Sequence, residues 1–324
     1  MNYGLSLSCM LSVVTALLIM GCGAEQATVS ETGAKPQPGS YKIVCTTGMI
    51  ADVVRNIVGE HAEVSALIPT GVDPHLYKPT RKNVLALSDA QLIFYNGVYL
   101  EGKMIATLET MAQADKVVVP LAERAVESAV YIAEGHETDP HLWMDVALWN
   151  QVAATIAQTL CEYDPTHVVD FETNLDSYAR KLRGLDAYAK AAFASIPTDQ
   201  RVLVTAHDAF NYMGRAYNME VKGIQGLSTE SEAGLQDLEN LVSFIVERQL
   251  PAVFVESSVA DKNVRALVEG AQAQGHQVVI GGTLFSDAMG PEGTYEGTYV
   301  GMIDHNVSTI VRALGGVADG FAQD

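Results

Sequence analysis

A chain of 324 residues has room for about two domains, and 48% apolar with 18% charged residues is an ordinary globular composition that excludes wholesale disorder. Its 39 acidic and 20 basic residues give a net charge of −19, the wrong sign for a protein that neutralises nucleic-acid phosphates or an anionic lipid surface. An acidic field serves solubility and also favours small cations as ligands.

In chain order, the first feature is a mostly apolar run from Cys9 to Met20. It is too short to cross a bilayer, which takes about 20 residues, and its position marks a secretory signal. The segment Leu18-Ile19-Met20-Gly21-Cys22 resembles a bacterial lipoprotein cleavage site, with Cys22 as the acylated first residue; the lack of Lys or Arg before it and the presence of Met20 depart from that pattern. Residues 23–40 (GAEQATVSETGAKPQPGS) lack any apolar period and have the composition of a flexible tether. The folded part is expected to start near Tyr41. Of the remaining cysteines, Cys45 lies in an apolar strand pattern, so Cys45 and Cys161 are expected as buried free thiols rather than a pair.

Beyond the tether, short β-branched runs alternate with helical periods, the pattern of parallel sheets wrapped by helices. The first half offers strands at 42–46, 62–68, 91–95 and 116–120, and the second at 201–205, 220–223, 252–256 and 277–280. Each half opens with a strand, a small-residue turn and a helix, at 50–58 and 209–217. The expected fold is α/β: two similar lobes, each a roughly four-stranded, mostly parallel sheet flanked by helices. Between them, Phe171, Leu175, Tyr178, Leu182, Leu185, Tyr188 and Ala192 recur every three or four residues. This predicts one long helix of about 28 residues and about 42 Å, a spine joining the lobes. Gly184 inside it costs about 1 kcal/mol relative to alanine and marks a place for a kink. The expected organisation is signal 1–21, tether 22–40, N-terminal lobe 41–164, linking helix 165–196 and C-terminal lobe 197–324.

Two histidines occur in almost the same phrase, Asp73-Pro74-His75-Leu76-Tyr77 and Asp139-Pro140-His141-Leu142-Trp143. Proline fixes its own φ and extends the residue before it, so each imidazole is presented on a rigid loop edge or at the start of a helix, not in a helix interior. That suits a ligand. Asp145, four residues after His141, is placed to accept from its second ring nitrogen, while the Asp before each Pro is placed to cap a helix whose first residue is that Pro. A third histidine, His207, follows the first strand of the second half, at the carboxyl edge where open α/β sheets bind ligands. Asp287, in Leu284-Phe285-Ser286-Asp287, follows the last strand. Alone, His207 reads as a structural histidine and Asp287 as a loop residue; together the four stand on matching edges of two lobes and are expected to converge on one cleft.

These residues, with GVDPHLYKPT (71–80), DPHLWMD (139–145), VTAHDAFNYMGRAYNMEVKGIQGLSTESEAG (204–234), VFVESSVADKNV (253–264) and GGTLFSDAMGPEGTYEGTYVGMIDHN (281–306), resemble the TroA-type metal-binding lipoproteins of bacterial zinc and manganese ABC transporters. The resemblance covers nearly the whole chain. It implies that His75, His141, His207 and Asp287 are the ligands of one Zn²⁺ or Mn²⁺ per chain, carried as cargo. It further implies an extracytoplasmic monomer, anchored through Cys22, that feeds a cognate permease in the cytoplasmic membrane. Glutamate is typical at the third ligand of dedicated manganese binders, so His207 places the chain with the three-His, one-Asp members. Zinc-dedicated members often carry a His-rich loop before the second ligand, whereas 121–140 holds only His136. Three imidazoles and a carboxylate suit tetrahedral Zn²⁺, and a bidentate Asp287 would suit Mn²⁺.

Other function classes fare worse. His136-Glu137-Thr138-Asp139-Pro140-His141 is one residue too long for a zincin motif, and Pro140 breaks the helix that motif needs. No nucleophile elbow, Walker loop or Cys-x-x-Cys is present, and no enzyme is expected. The alternative is a lipoprotein adhesin or metal buffer with the same site. His61, His167, His276 and His305 lack partners at ligand spacing and read as solvated, and Phe210, Tyr212, Met213 and Tyr217 read as lobe core.

Overall fold

A computed structural model describes residues 41–322, apart from 115, 128, 129, 135 and 136. The signal, the tether, Cys22 and His136 lie outside the described residues. The first half builds β1 (Tyr41–Cys45), α1 (Gly48–Val58), β2 (Ala62–Ala66), α2 (Arg81–Asp89), β3 (Leu92–Tyr95), α3 (Ile105–Gln113) and β4 (Val117–Pro120). Its strands form one parallel sheet in the order β2-β1-β3-β4, with Ile43 opposite both Val64 and Leu92. Each connection is a helical crossover, as parallel pairing demands. Thr80 and Asn83 form a reciprocal capping box that starts α2 directly after the His75 loop.

Next come α4 (Leu121–Ala125), the antiparallel pair β5 (Ala133–Glu134) and β6 (Glu137–Thr138), and α5 (Val146–Tyr163). The sequence reading assigned no helix to 146–163, although Val146, Trp149, Val152, Ala153, Ile156 and Leu160 form its buried stripe. The long helix is α6 (Val168–Ala194), 27 residues running through Gly184 without interruption, or about 40 Å.

The second half builds β7 (Val202–His207), α7 (Asn211–Tyr217), β8 (Glu220–Gln225), α8 (Leu235–Glu247), β9 (Ala252–Glu256), α9 (Lys262–Ala273), β10 (Val279–Leu284) and α10 (Tyr299–Ala313). Rather than one continuous four-stranded ladder, β7 pairs with β8 and β9 with β10, both parallel, with β7 beside β9. At the end of β7 the His207 N–H is taken by the Glu256 side chain. The register of β10 also shifts between Ile280 and Gly282.

Each lobe has a core of its own on one face. Leu87, Ile93 and Leu108 lie under α2 and α3, and Val204, Ile245 and Leu267 under α8 and α9. On the other face a single cluster runs through both lobes, from Ile43 and Phe94 through Trp149, Phe171 and Leu185 to Phe254, Leu284 and Ile303. Helix α6 packs against α1 and α5 of the first lobe and α7 and α10 of the second. A shared apolar core resists hinge motion more than a wet interface would, because opening it exposes apolar area at about 25 cal/mol per Å². The Phe210, Tyr212, Met213 and Tyr217 stripe is core. Both described cysteines are free, as expected, but only Cys45 is buried and Cys161 is half-buried.

Candidate metal centre

All four predicted donors come from loops or strand ends at carboxyl edges: His75 from the loop after β2, His141 from the turn after β6, His207 from the last residue of β7 and Asp287 from the loop after β10. All four are buried, and one donor atom from each lies within 4.8 Å of the others. His75 Nε2 is 3.4 Å from His141 Nε2, His141 Nε2 is 3.4 Å from Asp287 Oδ1, and His207 Nε2 is 3.2 Å from Asp287 Oδ2. A tetrahedral zinc with bonds of about 2.0–2.1 Å has ligand–ligand edges of about 3.4 Å. Three of the spacings match that edge; His75 Nε2 to Asp287 Oδ2 is longer, at 3.9 Å. The two oxygens of Asp287 turn to different imidazoles, a posture that also permits bidentate binding.

The turns that present the histidines are held by their own aspartates. Asp73 Oδ1 accepts the N–H of His75 at 2.8 Å and Asp139 Oδ1 that of His141 at 2.9 Å, a local side-chain turn in place of the expected cap, since no helix opens at Pro74 or Pro140. Asn96 Nδ2 donates to Pro140 O, and the Tyr212 hydroxyl donates to Asp139 O. Trp143 Nε1 donates to Ser286 O at 2.8 Å, so the turn carrying His141 is tied to the loop carrying Asp287.

The carboxylate expected behind His141 is a different one. Asp145 does not face His141: its Oδ1 accepts from Ala147 N and Leu148 N and caps α5. Because 142–144 form a 3₁₀ turn rather than an α-helix, the fourth residue on is carried past the imidazole. Asp139 takes that place, with Oδ1 2.7 Å from His141 Nδ1 and Oδ2 accepting from Asn211 Nδ2. Sequence reasoning also missed Glu256, whose Oε1 accepts the His207 N–H and whose Oε2 lies 2.5 Å from His207 Nδ1. The available signal was a carboxylate ending the buried strand Ala252–Glu256, where an apolar residue would be expected.

These carboxylates set the protonation of the ring nitrogens. Burial lowers His75 to about 4 against the pull of Asp287. Burial also opposes charge on His141, but Asp139 and Asp287 outweigh it and raise the group to about 9. His207 is raised well above the ordinary imidazole value because Glu256 and Asp287 overcome its burial. Asp287, although burial opposes its charge, is held well below the carboxylate range by His207 and His141. The result is a buried anion facing ring nitrogens: His207 Nε2 and both Asp287 oxygens have no hydrogen-bond partner. Buried polar atoms are rarely left so unless they serve a ligand, and this group can hold a metal ion.

The other histidines are not simply solvated. His61 lies 3.0 Å from Asp170 and stacks on His167, whose Nδ1 lies 2.7 Å from Asp164. His276 and His305 bond the carbonyls of Leu250 and Thr283. Among the described residues no second cluster has metal-holding spacing, and no helix is long and apolar enough to cross a membrane.

Two α/β lobes, a long connecting helix and a buried three-His, one-Asp cluster define a metal-binding solute-binding protein of an ABC transporter. The chain belongs to the family described as zinc-uptake complex component A, periplasmic, whose model matches residues 43–313. It is 48% identical to the zinc-binding protein TroA of Treponema pallidum over 85% of this chain and 89% of that one. It is 43% identical to the manganese-binding lipoprotein MntA of Bacillus subtilis, over 91% and 95%. The solved structure of the T. pallidum periplasmic zinc-binding protein superposes with a TM-score of 0.83, at 46% identity, covering 85% of this chain and 99% of that one.

Proposed function

We propose that this protein captures Zn²⁺ or Mn²⁺ outside the cytoplasm, one ion per chain, with His75, His141, His207 and Asp287 as its ligands, and delivers it to a membrane permease. The observation that carries the reading is the set of unpartnered, fully buried donor atoms on His207 and Asp287, gathered within 4.8 Å of ring nitrogens of His75 and His141. Four protein donors close a tetrahedral site, whereas catalytic zinc keeps a position for water; this favours carriage over catalysis. The names of the relatives, one a zinc binder and one a manganese binder, leave both ions as cargo. By the usual order of divalent affinities zinc binds the tighter, and availability then decides what is carried. Domain limits of 41–164 and 197–324 around a 165–196 linker, and a lipid anchor on Cys22, complete the reading.

The test is competitive titration of the full chain with Zn²⁺ and Mn²⁺ against a chelator, read by calorimetry. A stoichiometry near one for each metal, lost on Asp287→Ala, is expected. Two tight sites, or none, would overturn the reading.

A further inference from the structure

Two cavities reach the donor cluster from different sides. His75 lines a cleft of about 840 Å³, and Asp287 lines a smaller cavity of about 360 Å³. Charge separates them as routes for a dication. The larger is walled by Glu109, Glu123, Glu137 and Glu230, and carboxylates in a concave wall concentrate cations. The smaller has Arg55 in its wall, with Glu292 as its other charged residue besides Asp287.

One wall of the larger cleft is a strained turn of the first lobe. Gly97, Val98 and Tyr99 have φ of 84°, 49° and 61°, and a left-handed β-branched residue is rare. Carboxylates hold the turn: buried Glu101 accepts from Asn96 N, Gly97 N and the Thr46 hydroxyl, and Glu123 accepts from Val98 N. Tyr99 is left 82% exposed on the cleft wall. Strain maintained in this way points to function. The opposite wall is the 226–234 loop of the second lobe, and it is tied to the first lobe at two points. The buried Thr229 hydroxyl donates to Asp73 Oδ2, while Asp73 Oδ1 holds the His75 N–H. Lys103 Nζ, just beyond the strained turn, donates to Glu230 Oε2 at 2.7 Å.

We propose that metal enters and leaves along the cleft beside His75, and that the 226–234 loop gates it, latched across the lobes by Thr229 on Asp73 and Glu230 on Lys103. This rests on the metal-capture reading and adds the route and the residues that set the exchange rate. Neither latch residue supplies a donor to the ion, so loosening the latch speeds capture and release together and leaves their ratio nearly fixed.

The experiment follows Zn²⁺ transfer from the loaded full chain to a chelating dye by stopped flow, alongside equilibrium titration. The exposed Lys103–Glu230 pair is a weak contact, so Glu230→Gln is expected to speed release about two- to fivefold. The Thr229→Val, Glu230→Gln double variant is expected to speed it at least about tenfold, with Kd shifting less than about threefold. Exchanging the charges, Lys103→Glu with Glu230→Lys, is expected to restore the wild-type rate, which separates a latch from a general loss of folding. Arg55→Gln in the other cavity is expected to leave release unchanged. A wild-type chain that binds no Zn²⁺ would sink the capture reading itself. A chain that binds Zn²⁺ while the double variant releases it at the wild-type rate, or while only Arg55→Gln speeds release, would overturn the gate.

Discussion

Glu256 receives two hydrogen bonds from His207, one from the main-chain N–H to Oε1 and one from ring Nδ1 to Oε2. Both the backbone and the ring plane of the histidine are thereby fixed, and the only ring nitrogen left is Nε2, 3.2 Å from Asp287. Asp139 does the same for His141, accepting from its N–H and from Nδ1. Such outer carboxylates select the tautomer and strengthen the donor.

Glu256→Gln and Asp139→Asn are therefore expected to weaken Zn²⁺ binding about 10- to 100-fold each. Asp145→Ala, by contrast, should leave affinity alone and lower stability by about 1 kcal/mol, through loss of the α5 cap. Calorimetric titration with thermal unfolding of the three variants checks this; equal affinity loss in Asp145→Ala would contradict the assignment.

Metal binding should weaken as pH falls. An imidazole must be neutral to bind, and His141, raised to about 9, carries a proton at neutral pH that the metal has to displace. His207, also raised, adds a second, whereas His75 at about 4 adds none in this range. Affinity should thus rise about tenfold per pH unit for each proton displaced, between about pH 6 and about pH 8. Titration in buffers of different ionisation enthalpy should show one to two protons released per ion. A pH-independent affinity would remove the histidines from the ligand set.

Exchanging nitrogen for oxygen at the third ligand should change selectivity. His207→Glu would place a carboxylate against Glu256, so the informative comparison is made in a Glu256→Gln background. There the zinc-to-manganese affinity ratio is expected to fall at least about tenfold, or about 1.4 kcal/mol, since the harder ion prefers oxygen. A ratio that stays level or rises would show that His207 does not coordinate the ion or that geometry sets the preference.

Replacing Cys22 with serine should release the protein from membranes in soluble form, because the apolar run from Cys9 to Met20 is too short to anchor a chain without an acyl group. Fractionation of cells expressing Cys22→Ser with normal processing checks this; continued pelleting with membranes would argue against the anchor.

Local sequence was enough wherever a short-range rule operates. Short β-branched runs for the strands and a period of three to four for the linking helix placed those elements to within a few residues, because both record burial. The doubled Asp-Pro-His phrase marked His75 and His141, since the rigidity that presents them is written into adjacent residues. What the chain could not declare were local backbone geometry and the meeting of residues far apart. At His141 a 3₁₀ turn carries Asp145 away, and Asp139, two residues before the histidine, reaches the ring instead; Glu256 meets His207 across 49 residues, only because β7 and β9 lie side by side. The Thr229–Asp73 bond spans 156 residues and joins two lobes. Composition and spacing fixed which donors were available, while the turn at Asp139 within the first lobe and the placing of β7 beside β9 within the second decided which carboxylate orients which imidazole, because hydrogen bonds depend on distances of a few tenths of an ångström that a residue pattern does not encode.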